Sequence, residues 1–398
     1  MPYGFNKTRK SIVPSKYCLV YNICIDTFII SLALYAHFKS QLIDLDNLKY
    51  GTIMEQLGQF TLMVNINALL ATMWTNWSEY KSVLGIFNEF MAFDSMYFAR
   101  HSYLAKHCTS YDNYIIMKGL IMLLKNAPSI LRIIRLYNKF SLFTFSITLL
   151  PLLMENIVLL VVLHFYTFII VTYRYIWILQ QRLKFMAKSI HNSNIDAMEH
   201  EINEIIGVYI RIQRVCQQFG RIYGKQLLLS ITGIAGHNIL TLFIVVFIWN
   251  YIIISWGLVL AFFVVTINTI DFWLVIAACE LMVQTTREMA QLLRCFNNCT
   301  QLKVEFEREL EIFALVCATN SPNFRLCGLV DLDYSTGVKI VLTMILYIIY
   351  LVQLYYITDA AEVACNLRVE YTFLLNVKCH KLLREVDSEE VESNLLHD

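Results

Sequence analysis

The ionisable side chains inside apolar runs are the first candidates for chemistry: Asp26, Glu155 with His164, and Asp271 with Glu280. A charge at membrane depth is expensive, so such a group marks an ion path, a proton relay or a ligand contact by default. Each would serve equally as one end of a helix–helix hydrogen bond. None falls into a catalytic pattern. There is no His-Glu-x-x-His, no phosphate-binding loop and no Ser, His, Asp order, so neither an enzyme nor a cofactor is expected. The eleven cysteines are scattered, and Cys295 and Cys299 have no His or Cys neighbour that would complete a metal site. The last apolar run differs. At about 100° per residue, Thr343, Tyr347, Tyr350 and Gln353 share one arc of roughly 120°, with Leu342, Ile345, Ile348, Ile349 and Leu351 on the other faces. Hydrocarbon offers no partner to a glutamine amide, so this run borders either a wet path or a helix–helix seam. One such helix cannot enclose a pore. Several copies around an axis can, with Gln353 and Leu354 forming rings near one end; a seam within one subunit fits the same stripe.

The elements that position these residues are membrane helices. Of 398 residues, 57% are hydrophobic and 16% charged, against about 45–50% and about a quarter in a soluble domain. Apolar runs of about 20 residues are long enough to span a bilayer as helix. Seven are expected, over about 17–38, 57–76, 114–135, 147–174, 226–250, 255–283 and 336–357, with Pro151 near the first turn of the fourth, where a missing N–H costs little. The fold class is an all-α membrane protein with seven transmembrane helices. The first run is too long for a signal-peptide core and is kept in the mature chain. A net charge of +1 gives no reason to expect a nucleic-acid partner.

Lysine and arginine set the orientation, because they concentrate on the cytoplasmic side. Twenty fall on the side of the N-terminus and eight on the other, which predicts a cytoplasmic segment 1–16 and an outside C-terminus. Arg132, Arg135 and Lys139 run against the rule. The sequons at Asn6, Asn76 and Asn298 fall on the predicted cytoplasmic side and would stay unmodified. Helical spacing continues past the fourth span with Ile176, Leu179, Leu183 and Met186. It recurs over 196–225 with Ile202, Ile205, Ile206, Tyr209, Ile212 and Cys216, and over 284–317 with Met289, Leu292, Leu293, Phe296, Leu310 and Phe313. Such stripes lie on a membrane surface or bundle together. Their mixed charges and continuity with the spans favour a bundled cytoplasmic base, in segments 174–225 and 284–335.

The outer halves of the spans offer a candidate ligand pocket: Gln59, Asn65 and Asn67 in the second span, Glu155 and Asn156 in the fourth, and Phe247, Trp249, Asn250, Tyr251 and Trp256 where the fifth and sixth meet. Aromatic walls with a few amides suit a small organic ligand, and Trp249, Tyr251 and Trp256 suit an interface girdle as well.

The stretch Cys327-Gly328-Leu329-Val330-Asp331-Leu332-Asp333-Tyr334, followed by Leu346-Tyr347, five apolar residues and Gln353-Leu354, resembles the end of the insect gustatory receptors. That family has a Thr-Tyr pair, five hydrophobic residues and Gln-Phe; here leucine replaces threonine and phenylalanine. The resemblance covers residues 17–357 in layout. It implies a tetrameric, homo- or heteromeric, ligand-gated cation channel in the plasma membrane of a sensory neuron, opened by a small-molecule tastant. In that frame Gln353 and Leu354 lie at the gate, and Tyr347 and Tyr350 lie along or behind the pore. A pocket would hold the tastant near Asn65, Asn67, Glu155, Asn156, Phe247, Asn250 and Trp256. The alternative is a G-protein-coupled receptor, which wants an acidic-Arg-Tyr at the inner end of span three and Asn-Pro-x-x-Tyr in span seven. The chain has Ile133-Ile134-Arg135-Leu136-Tyr137 and no proline in span seven. A transporter would want two related halves with broken helices, which are not visible. About 40 residues follow the last span, ending in an acidic cluster; 358–398 is read as an extracellular tail, in which Cys365 and Cys379 would be free to pair.

Overall fold

Three helices are longer than a bilayer requires, and they organise everything else. In a computed structural model of the chain, α6 (Leu142–Ser189) has 48 residues, α7 (Ile195–Trp249) 55 and α8 (Trp256–Arg294) 39. At 1.5 Å per residue these measure ~72, ~83 and ~59 Å, against about 30 Å of hydrocarbon. The excess is the amphipathic continuation expected from the sequence: 196–225 and the fifth span form one helix with no break. The structure describes residues 3–6, 11–42, 52–105, 107–136, 142–189, 195–249, 256–298, 304–319, 324–328 and 330–357.

The remaining helices are α1 (Lys16–Leu42), α2 (Thr52–Ser78), α3 (Tyr80–Met96), the short α4 (Ser102–Ala105), α5 (Thr109–Leu136), α9 (Val304–Thr319) and α10 (Tyr334–Ile357). Helices α1, α2, α5, α6, α7, α8 and α10 are the seven expected spans. Among the described residues, α6, α7, α8 and α10 carry windows apolar enough to cross a membrane on composition alone. Helix α5 is diluted by Asp112, Lys118 and Lys125. Pro151 lies well inside α6 rather than near its first turn, because the helix already begins at Leu142. There it removes the N–H that would bond the Ile147 carbonyl.

The amphipathic stripes bundle. Leu179, Leu183 and Met186 of α6, Ile202, Ile205, Tyr209 and Ile212 of α7, Met289 and Leu293 of α8, then Phe296, and Leu310 and Phe313 of α9 are buried in one cluster. Polar groups clip its rim. Arg182 pairs with Glu201 and donates to Tyr103 Oη at 3.2 Å; Arg211 meets Glu89 at 2.6 Å, and Gln180 donates to Glu288 at 2.8 Å. This end of the molecule is its base.

Two features were not expected. The segment after the second span folds as α3, which buries Val83, Ile86 and Phe93. The N-terminal segment, read as merely polar and basic, contains an antiparallel pair, β1 (Tyr3–Asn6) and β2 (Ser11–Pro14). Asn88 of α3 completes the free edge of β2, accepting from Ile12 N at 3.0 Å and donating to Ile12 O at 3.2 Å. A side-chain amide thereby substitutes for a neighbouring strand, a pairing that sequence periodicity does not reveal.

Candidate functional site

The Cys327–Tyr334 stretch is a clamp at the start of α10. Strands β3 (Arg325–Leu326) and β4 (Val330–Asp331) pair across a tight turn, with Arg325 Nε 2.8 Å from Asp331 Oδ1. The turn needs positive φ at Cys327 (53°) and Gly328 (72°), and a glycine takes the larger value without a Cβ penalty. Phe324, buried, sets its ring edge-on to Phe165 of α6 at 5.2 Å, and Leu332 N donates to Phe324 O at 3.1 Å. Asp333 then caps α10, its Oδ1 accepting from Thr336 N at 2.7 Å. That hydrogen bond holds the Asp333 carboxyl below the usual carboxylate range, and such a cap contributes about 1 kcal/mol. Gly337 lets α10 approach α8: a methyl group there would lie 2.6 Å from Ile276 Cδ1 and 3.1 Å from the Trp273 ring. Tyr334 and Trp273 sit 5.7 Å apart, centroid to centroid.

The segment of α10 beyond Met344 is a compact unit of its own. Tyr347 and Tyr350 are exposed at 57% and 59%, Gln353 is exposed and Leu354 is half-buried. The apolar faces are no better covered, since Ile345, Leu346 and Ile349 are also exposed.

Inside the helix bundle lies an ion cluster. Asp271 of α8 receives Lys118 at 2.5 Å on one carboxylate oxygen and Lys125 at 2.6 Å on the other, and all three side chains are less than 5% exposed. Lys118 also lies 5.1 Å from the Tyr166 ring, whose hydroxyl donates to Tyr114 O at 2.7 Å. One carboxylate facing two ammonium groups leaves one positive charge uncompensated among the described residues. Asp271 borders a crevice of about 30 Å³ between α7, α8 and α10, where Asn268 donates to Asn238 at 2.9 Å. That space suits a water molecule or two. Asp271 was legible as a suspect from sequence. Its partners were missed, although two lysines seven residues apart in an apolar run share a helix face, and that spacing was the available signal.

The residues of the expected outer pocket divide. Asn65 is half-buried and its Oδ1 lies where a Cβ at Gly233 of α7 would be, so glycine permits this crossing. Asn67, two positions along, is exposed and bonds its own helix at Met63 O, 3.0 Å. Gln59 is exposed and Asn156 half-buried. Asn250, Tyr251 and the tail 358–398 lie outside the described residues, as do the side chains of Asp26, Glu155, Phe247, Trp249 and Trp256. His164 and Glu280 are half-buried. Among the described residues no three His, Cys, Asp or Glu groups gather to hold a metal. A larger cavity of about 1080 Å³ lies toward the base, between α3, α6 and α7.

A bundle of long apolar helices with a buried charge cluster defines a multi-pass membrane protein, and comparison with known proteins makes the class specific. Residues 1–357 match the family model described as 7tm Chemosensory receptor, and the chain belongs to that family. Similar proteins in Drosophila melanogaster include "Putative gustatory receptor 22a", 24% identical over 361 residues, covering 89% of this chain and 90% of that protein. "Gustatory receptor for bitter taste 22e" is 25% identical over 365 residues, covering 89% and 91%. Among solved structures, the olfactory receptor OR5 of the insect Machilis hrabei has the same fold, with a TM-score of 0.61 at 10% identity over 85% of this chain and 90% of that one. The chain is therefore an insect-type seven-helix chemoreceptor of the gustatory group, from a family of receptors rather than enzymes.

Proposed function

We propose that the protein is a gustatory receptor subunit that forms a tetrameric, ligand-gated, non-selective cation channel in the plasma membrane, opened by a small organic tastant. The observation that carries this reading is the polar-aromatic stripe of α10: Thr343, Tyr347, Tyr350 and Gln353 share one arc and are all exposed, beside exposed Leu342, Ile345 and Ile349 and half-buried Ile348 and Leu351. Four copies around an axis give the stripe a water-filled lumen and the apolar faces a protein or lipid neighbour. Gln353 and Leu354 then form the gate, with Tyr347 and Tyr350 along or just behind the pore. The gustatory relatives support a tastant as ligand, and the relative named for bitter taste points to the bitter class. The charge asymmetry supports a cytoplasmic N-terminus and base and an outside tail 358–398, and the family resemblance supports the base as the anchor where subunits meet. The tastant pocket lies among Asn65, Asn67, Glu155, Asn156, Phe247, Asn250 and Trp256. Opening requires that the tastant bind the open arrangement better than the closed one. The G-protein-coupled alternative has no support in the sequence motifs or the family.

Patch-clamp recording of Gln353→Ala tests the assignment. Altered ion selectivity or basal conductance is expected, because the substitution removes a ring of amides from the narrowest part of the path. Unchanged currents would place Gln353 outside the pore. A tag at the N-terminus reachable by antibody on intact cells would overturn the topology.

A further inference from the structure

We propose that the base-side cavity between α3, α6 and α7 is a second binding site, and that it takes a hydrophobic organic cation. At about 1080 Å³ it is at the upper end of the size of small-molecule pockets. Its walls are aromatic: Phe87, Phe90, Phe168, Tyr175, Phe219 and Tyr223. Phe168 stacks on Phe219 at 3.6 Å, Phe219 on Tyr223 at 4.4 Å, and Phe90 meets Phe168 edge-on at 5.1 Å. The ring faces that these stacks leave uncovered carry negative electrostatic potential and attract cations.

The polar groups of the lining bear on the sign of the ligand: besides the tyrosines they are Asn88, Asp94, Ser95, His164 and Thr167, and no lysine or arginine lines the cavity. Asn88 is committed to the backbone of Ile12, and Ser95 Oγ donates to Ala92 O at 3.1 Å. Asp94 is different. Its carboxylate is exposed at the cavity, and no ion pair holds it among the described residues. Arg211 pairs with Glu89 and lies over Phe93, and Arg174, whose Nε has no hydrogen-bond partner among the described residues, lies 4.7 Å from the Tyr111 ring; neither arginine lines the cavity. Asp94 also stands in the last turn of α3, a helix with no basic residue at that end. An acid there opposes the helix dipole, which costs about 0.3–1 kcal/mol, and the converging carbonyls add their own attraction for a cation. Ring faces, carboxylate and helix end therefore all favour one sign. A phospholipid tail would suit the walls, but its phosphate would meet Asp94. The site is separate from the outer pocket and does not depend on ion conduction.

Two nearly isosteric ions of opposite charge provide the test. Equilibrium dialysis of the purified full-length chain in detergent, against empty micelles, would compare tetraphenylphosphonium with tetraphenylborate. The cation should bind at least tenfold more tightly. Asp94→Asn, at an exposed position that leaves packing intact, should weaken the cation about tenfold and narrow the gap to the anion. Val171→Trp, which puts an indole into the lining beside Phe168, should weaken the Asp94-dependent binding. Equal affinity for the two ions, or an unchanged cation affinity in Asp94→Asn, would overturn the proposal. Because the readout is binding, a chain that binds the cation but passes no current would refute the channel reading alone.

Discussion

Removing the charge of Asp271 should be the most damaging single change in the membrane core, and more damaging than removing either of its lysines. The carboxylate lies 2.5 Å from Lys118 and 2.6 Å from Lys125, with all three groups buried. Asp271→Asn leaves two ammonium groups facing each other without a counter-charge. Breaking one buried pair costs about 3–5 kcal/mol, most of it the penalty on the orphaned charge. At about 2 °C per kcal/mol this corresponds to a loss of about 6–10 °C in melting temperature. Lys118→Met and Lys125→Met are different in kind, because each leaves a one-to-one pair and removes the surplus charge. Each should cost less than half as much, and one could be neutral. Fluorescence-detected thermal unfolding of the three variants in one detergent measures the order. If either lysine variant falls as far as Asp271→Asn, the cluster carries no surplus charge and a second anion balances it.

Gly337→Val should destabilise by about 1–3 kcal/mol through overpacking against Ile276 and Trp273. Helix propensity alone predicts the opposite sign, so a rise in melting temperature would refute the close approach of α10 to α8. The base should also lose stability in mild acid. Burial, then the charge of Arg182, holds the His101 imidazole below its ordinary value of 6.5, so the folded chain binds the proton less readily than the unfolded one. The His101 contribution is complete above about pH 6.5 and is lost as pH falls through the lowered folded value. His101→Gln should flatten melting temperature between pH 7.5 and 5.5; an unchanged slope would assign the acid sensitivity elsewhere.

The helices were largely readable because helical periodicity and hydropathy are local properties. Ile202, Ile205, Tyr209 and Ile212 announced the buried face of α7 by spacing alone, and helical spacing on both sides of Lys225 with no proline between was enough to join the base to the fifth span, despite Gly220 and Gly224. Features that depend on distant partners were not readable. Asn88 edging β2 joins residues 76 positions apart, and Lys118 meets Asp271 across 153. The Cys327–Tyr334 motif was visible as a motif, but it looked like a charged mouth. Its acids are spent on Arg325 and on the cap of α10, and those roles become visible only when the hairpin is closed.

The unbroken α7 turns small motions into large ones. It is anchored among packed side chains at the base and crosses Asn65 at Gly233 before ending at Trp249. A rod of ~83 Å that pivots by about 3° at its anchor carries its far end through about 4 Å. A lever of that length lets a displacement too small to disturb the base widen or shut a passage at the opposite end. It also means that a proline introduced near residue 225 would bend the lever and lose stroke without touching either the fulcrum or the load.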